Sequence, residues 1–260
     1  MRNFYILMMT IIVSVILISW FNPGYGMADK TNEQSGHPEL DLITYERINK
    51  KVPQKLNGKQ RKVVYLTIDD GPSLYTKDLI AILDRYEVPA THFLIGKNMN
   101  RYPDMAKQYV NRGDYIGMHS MTHDYGRLYK KGKIVEEVLE TQQLIKEQVG
   151  IQPTLFRCPF GSSPGLNKQL LNKAADAGLK MWDWTIDSKD WKLQNNPSKI
   201  KKEIQAQLNG TEEIILIHEK KGTIKALPGI IESIREAGYE FERYDESKHF
   251  PVNFHNDKRL

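Results

Sequence analysis

An α/β fold, a distorted (β/α) barrel of about seven parallel strands, is predicted by three observations. Short apolar runs alternate with amphipathic helical patterns along residues 61–245. Repeated strand–helix units running in one direction require right-handed crossovers and parallel strands. No glycine-rich dinucleotide or phosphate loop follows the first strand, which favours a barrel over an open doubly wound sheet. At 260 residues the chain is long enough for one substantial core.

The elements follow in order. Val63–Ile68 reads as a buried strand, followed by a helix over Thr76–Tyr86 that turns Leu79, Ile80, Ile82 and Leu83 inward. A strand over Ala90–Ile95, a helix from Pro103 to Asn111 stopped by Gly113, and a strand over Tyr115–Met118 come next. The periodicity of Ile134, Val135, Val138, Leu139 and Ile145 predicts a long helix over Lys133–Val149, ended by Gly150. The second half predicts strands over Thr154–Cys158, Lys180–Ile186, Glu213–Ile217 and Tyr239–Tyr244. Between them lie helices over Asn167–Ala177, from Asn196-Pro197 to Asn209-Gly210, and over Pro228–Ala237.

The ends differ from this domain. After Arg2, the run Phe4–Phe21 is apolar apart from Thr10, Ser14 and Ser19, and no charge follows until Asp29. Residues 1–26 are therefore expected to be an apolar helix, either a membrane anchor or a cleaved signal, that places the remainder outside the cytoplasm. Residues 27–60 are expected to be a polar linker and 246–260 a polar tail. The single cysteine, Cys158, excludes an intramolecular disulfide. The net charge of +5 suits anionic surroundings such as a cell wall, and the absence of an arginine-rich helix or aromatic ribonucleoprotein pattern argues against nucleic acid.

Chemistry-bearing residues collect at strand ends. Asp69 and Asp70 are adjacent carboxylates where the first strand meets Gly71-Pro72, and a buried like-charged pair calls for a cation or a shared proton. His119 and His123, four apart, are expected on one side of a helical turn. With Asp70 they would give three ligands to one divalent ion and leave a coordination position open, as in catalytic sites. Asp69 would then serve as general base, paired bidentately with Arg157 at the end of the fourth strand. His218, at the end of a buried strand, is a candidate general acid tuned by a nearby carboxylate. Trp182 and Trp184 alternate on a strand and read as core, whereas Trp191 could face a sugar; His92 reads as packing. All the candidates fall at the C-terminal ends of strands, where α/β barrels build active sites.

Five motifs occur in an order that resembles the polysaccharide deacetylases of carbohydrate esterase family 4. They are Thr67–Gly71, His119–His123, Arg157–Phe160, Asp187–Trp191 and Leu216–His218, within a resemblance that covers about residues 61–245. The resemblance implies removal of N-acetyl groups from amino sugars of peptidoglycan or chitin-like oligomers. It implies Asp69 as base, with Asp70, His119 and His123 on a divalent ion, zinc first and cobalt or nickel as alternatives. Arg157 would orient Asp69, Asp190 would tune His218 as acid, and the main-chain N–H of Phe160 would serve the oxyanion. A cell-wall glycan is the implied partner, with no obligate protein partner. Ile68, Met118, Phe160 and Glu219 depart from the usual Phe, Asn, Tyr and Asp. Met118 cannot hydrogen-bond strongly, which motivates a rival reading as a feeble or inactive carbohydrate-binding wall protein. An O-acetyl esterase acting on a wall or xylan-like polymer is the other rival.

Overall fold

Lys62–Gly71 (β1) is the longest strand of the computed structural model, which describes residues 55, 56 and 58–260. Its apolar run is buried on both faces because the chain packs a core on each side of it. Val64, Leu66 and Ile68 join the cluster that also contains Leu79, Val138 and Ile230 of the surrounding helices. Val63 and Tyr65 point the other way, into a smaller cluster with Phe93, Tyr115, Leu155, Trp182, Ile214 and Tyr244. That second set fills the interior of the curled sheet, so the period of two separates barrel filling from helix contact.

The remaining strands are Thr91–Leu94 (β2), Tyr115–Met118 (β3), Leu155–Phe156 (β4), Lys180–Met181 (β5), Ile186–Asp187 (β6), Glu212–His218 (β7) and Tyr239–Glu242 (β8). Their order is β5-β4-β3-β2-β1-β7-β6, with β8 alongside the first half of β1, and all pairings are parallel. The helices are Thr76–Arg85 (α1), Gly96–Arg101 (α2), Met105–Asn111 (α3), Ile134–Val149 (α4), Lys168–Asp176 (α5), Asp190–Leu193 (α6), Pro197–Gln207 (α7) and Lys221–Glu236 (α8). Asn167 and Asn196 cap α5 and α7 through their side chains, and Gly150 ends α4 with φ 87°.

Several predicted elements change. The strand expected over Lys180–Ile186 is interrupted: its first half pairs with β4 and its second with β7, so one chain segment occupies both ends of the sheet. The cause is the C-terminal stretch, which is not a loose tail. Trp182 bridges to Val252, Asp183 N–H donates to the Val252 carbonyl at 2.7 Å, and Trp182 Nε1 donates to the Phe250 carbonyl at 2.8 Å. The Phe250 ring packs 5.0 Å from Trp182 and 5.6 Å from Tyr65, and Leu260 is fully buried. A barrel whose sheet is broken at Trp182 leaves apolar filling open at one side, and residues 250–260 cover it. Helix α8 begins seven residues before Pro228, which stands inside it. Its start is fixed earlier, where Gly222 N–H donates to Gln194 Oε1. An additional helix, α2, follows β2.

The expected apolar helix at residues 1–26 and most of the linker lie outside the described residues. Within 55–60, Lys55–Leu56 pairs antiparallel with Lys59–Gln60. No helix among the described residues is long and apolar enough to cross a membrane.

Replacement of Phe250 by Ala should lower stability by about 2 kcal/mol, less than for a fully buried Phe because this ring is only partly covered. Denaturant unfolding followed by tryptophan fluorescence reads the change; a loss below about 0.5 kcal/mol would contradict a structural role for the C-terminal stretch.

Candidate active site

Consecutive residues of a strand send their side chains to opposite faces, so Asp69 and Asp70 could not meet on a regular β1. The register of β1 against β2 shifts between Asp69 and Gly71, and Asp70 takes φ 71°. This bulge turns both carboxylates toward one imidazole: His119 Nε2 lies 3.7 Å from Asp69 Oδ2 and 3.8 Å from Asp70 Oδ1.

His119 follows β3 directly. The segment to His123 is not the helical turn the spacing suggested; Ser120 and His123 have φ 63° and 57°. The loop is instead held by hydrogen bonds. His123 N–H donates to Ser120 Oγ, and Thr122 gives its N–H and hydroxyl to buried Glu137 of α4. This geometry leaves His123 Nε2 3.5 Å from Asp70 Oδ1.

The ligand atoms of Asp70, His119 and His123 all lie within 4.8 Å of one another. Asp70 Oδ1 is buried and has no hydrogen-bond partner, a costly condition for a carboxylate oxygen unless a cation takes it. The imidazoles are arranged to supply lone pairs. His119 Nδ1 is 2.8 Å from the Arg157 carbonyl, which can only accept, so Nδ1 carries the proton and Nε2 is free. Burial, with the neighbouring His119, pulls His123 down to about 4 against the opposing carboxylates, so it is neutral at ordinary pH. Burial alone would raise Asp70, but His119, His218, His123 and Lys220 together pull it below its ordinary value. The donor set fits a divalent ion of the zinc type.

Arg157 is fully buried at the end of β4. Its pairing with Asp69 is through one nitrogen, not bidentate: Nη1 donates to Asp69 Oδ1 at 3.0 Å and to Thr67 Oγ1 at 2.6 Å. The other donors bind the carbonyls of Trp182 and Asp183 at 3.0 and 2.7 Å, where the interrupted strand exposes them. The guanidinium thus braces both the carboxylate and the break in the sheet. Burial lowers its pKa, with Asp69 and Asp183 opposing.

His218 ends β7 opposite Asp69 in the β1–β7 register, which places the two on adjacent strands. Its Nδ1 lies 2.7 Å from Asp190 Oδ1, and its N–H donates to Asp190 Oδ2 at the same distance. Thr223 adds a hydroxyl donor to Asp190 Oδ2 at 2.5 Å. Burial disfavours the imidazolium, yet Asp190, followed by Asp69 and Asp70, raises His218 above its ordinary value. Asp190 is correspondingly lowered despite its burial.

Phe160 has φ 66°, stands 57% exposed and places its ring 4.6 Å from His123. Trp191 is also exposed, with Lys192 over its ring. Asp187 turns away to accept from Lys189 N–H, while His92 is buried against Asp114 and stacked on Tyr109. Met118 is fully buried in the helix-facing core, and the partner of His119 is a main-chain carbonyl.

The roles of two residues were missed. Lys220 Nζ lies 3.2 Å from Asp70 Oδ2, which leaves Oδ1 as the oxygen facing the imidazoles. Glu219 accepts from Ser73 N–H and Oγ, Thr76 Oγ1 and Tyr109 OH, fixing the turn after Gly71. An acid and a lysine after His218 were visible in the sequence; nothing in their spacing pointed back to β1.

Comparison with known proteins joins this geometry to a family. The polysaccharide deacetylase pattern matches residues 57–182. A peptidoglycan-N-acetylglucosamine deacetylase of Bacillus cereus is 45% identical over 219 residues, covering 82% of this chain and 80% of that protein. The chain belongs to the polysaccharide deacetylase family. The crystal structure of the polysaccharide deacetylase Bc1974 from Bacillus cereus superposes with a TM-score of 0.75 at 45% identity, covering 77% of this chain and all of that one. The catalytic domain of a peptidoglycan N-acetylglucosamine deacetylase from Eubacterium rectale gives 0.68 at 26% identity, over 79% of this chain and 98% of that domain.

Removing the charge of Asp190 as Asp190→Asn should shift the titration of His218 to lower pH. NMR of the ring protons measures it, and an unmoved titration would show that Asp190 is not what raises this group.

Proposed function

We propose that this polysaccharide deacetylase acts outside the cytoplasm as a divalent-metal-dependent hydrolase of N-acetyl groups on N-acetylglucosamine residues of peptidoglycan. The observation that carries the reading is the buried, unpartnered Asp70 Oδ1 facing two imidazole nitrogens, between a carboxylate–guanidinium pair and a carboxylate–imidazole pair. The two Bacillus and Eubacterium peptidoglycan deacetylases support the choice of polymer.

Asp70, His119 and His123 would hold the ion. When bound, it polarises the acetyl carbonyl and makes water easier to deprotonate. Asp69 accepts the proton of the attacking water, with its carboxylate aimed by Arg157 Nη1. The main-chain N–H of Phe160 donates to the developing oxyanion. Trp191 borders the substrate. His218, its proton retained by Asp190, donates to the departing nitrogen, and the products are acetate and the free amine. The alkaline limb of the pH profile follows from this assignment: His218 must be protonated, so activity falls as pH rises through its pKa, and that fall moves to lower pH in Asp190→Asn. An exported chain, whether anchored or cleaved, would meet this polymer in the wall.

Acetate release from N-acetylglucosamine oligomers and from peptidoglycan should be abolished by chelation and restored by added zinc or cobalt. Asp69→Asn should lower kcat about 10²- to 10⁴-fold with its fold intact. Release that persists after chelation, or in Asp69→Asn, would rule the mechanism out, and release only from O-acetylated polymers would change the bond cleaved.

A further inference from the structure

Six large hydrophobic side chains are exposed among the described residues, and five are tied to the site. Leu74, Tyr125 and Trp191 stand within four positions of Asp70, His123 and Asp190, Phe160 belongs to the site itself, and Phe254 comes from the far end of the chain. Phe254 is the unexpected one, because its segment was predicted to be a tail.

The chain holds Phe254 at this place with polar bonds rather than by burying its ring, which is 44% exposed. Its N–H donates to Asp183 Oδ2 at 2.8 Å, and the same carboxylate accepts the N–H of Ser162 at 2.9 Å and its hydroxyl at 2.5 Å. His255 Nε2 lies 3.1 Å from the Ser162 carbonyl. The loop that carries Phe160 is thereby laced to Phe254. The ring stands edge-on to Trp184 at 5.1 Å, and Trp184 lies 5.9 Å from the Arg157 guanidinium. Gly161 separates Phe160 from Phe254, and a Cβ there would come within 3.2 Å of both the Phe254 and Trp184 rings. The Phe254 ring therefore packs against the buried residue that follows Phe160, whose own ring lies against His123.

We propose that Phe254 is a platform for a sugar next to the one being deacetylated, in a β-linked strand of N-acetylated amino sugars. The proposal rests on the reading of function above. A pyranose presents an apolar C–H face that an exposed ring can cover, and a contiguous exposed apolar surface beside a polar reaction centre marks a ligand site. The occupant follows from position: the exposed rings of Phe160 and Phe254 flank one glycine, and the first lies against His123, so a glycan whose reacting sugar sits at the site passes a neighbouring sugar toward the second.

Titration calorimetry with the pentamer and dimer of β-1,4-linked N-acetylglucosamine tests it. Phe254→Ala should weaken binding of the pentamer about tenfold, as loss of one ring contact predicts, and should weaken the dimer less. Phe254→Trp should retain the affinity, and Leu139→Ala, an exposed residue of α4, should behave as the unaltered protein does. Pentamer affinity within twofold of the unaltered protein in Phe254→Ala, no pentamer binding by the unaltered protein, or equal weakening by Leu139→Ala would overturn the proposal. Binding that depends on Phe254 without acetate release would sink the deacetylase reading and leave this one standing; release with undiminished binding in Phe254→Ala would do the reverse.

Discussion

Two adjacent carboxylates taken out of water at the end of one strand are the constraint on which the site depends. Left alone, each would be worth several kcal/mol of destabilisation. The chain separates the problem by bulging at Asp70, so that each acid meets its own partners. Asp69 receives a fully buried guanidinium, while Asp70 receives an ammonium on Oδ2 and turns Oδ1 toward two imidazoles without a hydrogen bond. The result is directional. Asp70 Oδ2 is satisfied by Lys220 and Oδ1 is left without a hydrogen-bond partner, so the ion pair helps decide which oxygen is open on the side of the imidazoles.

The elements around β1 make that arrangement rigid. Glu219 ties the turn after Gly71 to Tyr109 of α3, and a Cβ on Gly71 would come within 2.8 Å of its Oε2, so the turn needs both the glycine and the acid. Glu137 does the same for the histidine loop from α4. Both carboxylates are themselves buried and fully engaged with local donors. A ligand set on loops alone would be loose; here each loop is fastened by a side chain from a packed helix or a neighbouring strand.

How much of this was legible in sequence follows from the range of the forces. Strand and helix periods, the glycine and asparagine boundaries, and the gathering of acids and histidines at strand ends are local patterns, and β1, β3, α4 and the metal-type cluster could be read from them. The split of the strand at Trp182 could not, because it is imposed by Val252 and Phe250 from seventy residues away. The four-residue spacing of His119 and His123 suggested a helical turn, but two left-handed residues stabilised by Glu137 bring the rings together another way. Polar composition made residues 246–260 look unattached. Of their few apolar members, Phe250, Val252 and Leu260 pack into the cores, and Phe254 stays exposed.

The broken strand also links stability to chemistry. Where pairing lapses after Met181, the carbonyls of Trp182 and Asp183 lose sheet partners and accept from Arg157 instead. The Asp183 carboxylate, freed in the same place, gathers Ser162 and Phe254. A regular strand there would consume those carbonyls in the ladder and leave two hydrogen bonds of the buried guanidinium unmade, a loss of several kcal/mol. The irregularity is therefore what allows a fully buried arginine to stand behind Asp69, and the C-terminal stretch that causes it stands behind the arginine.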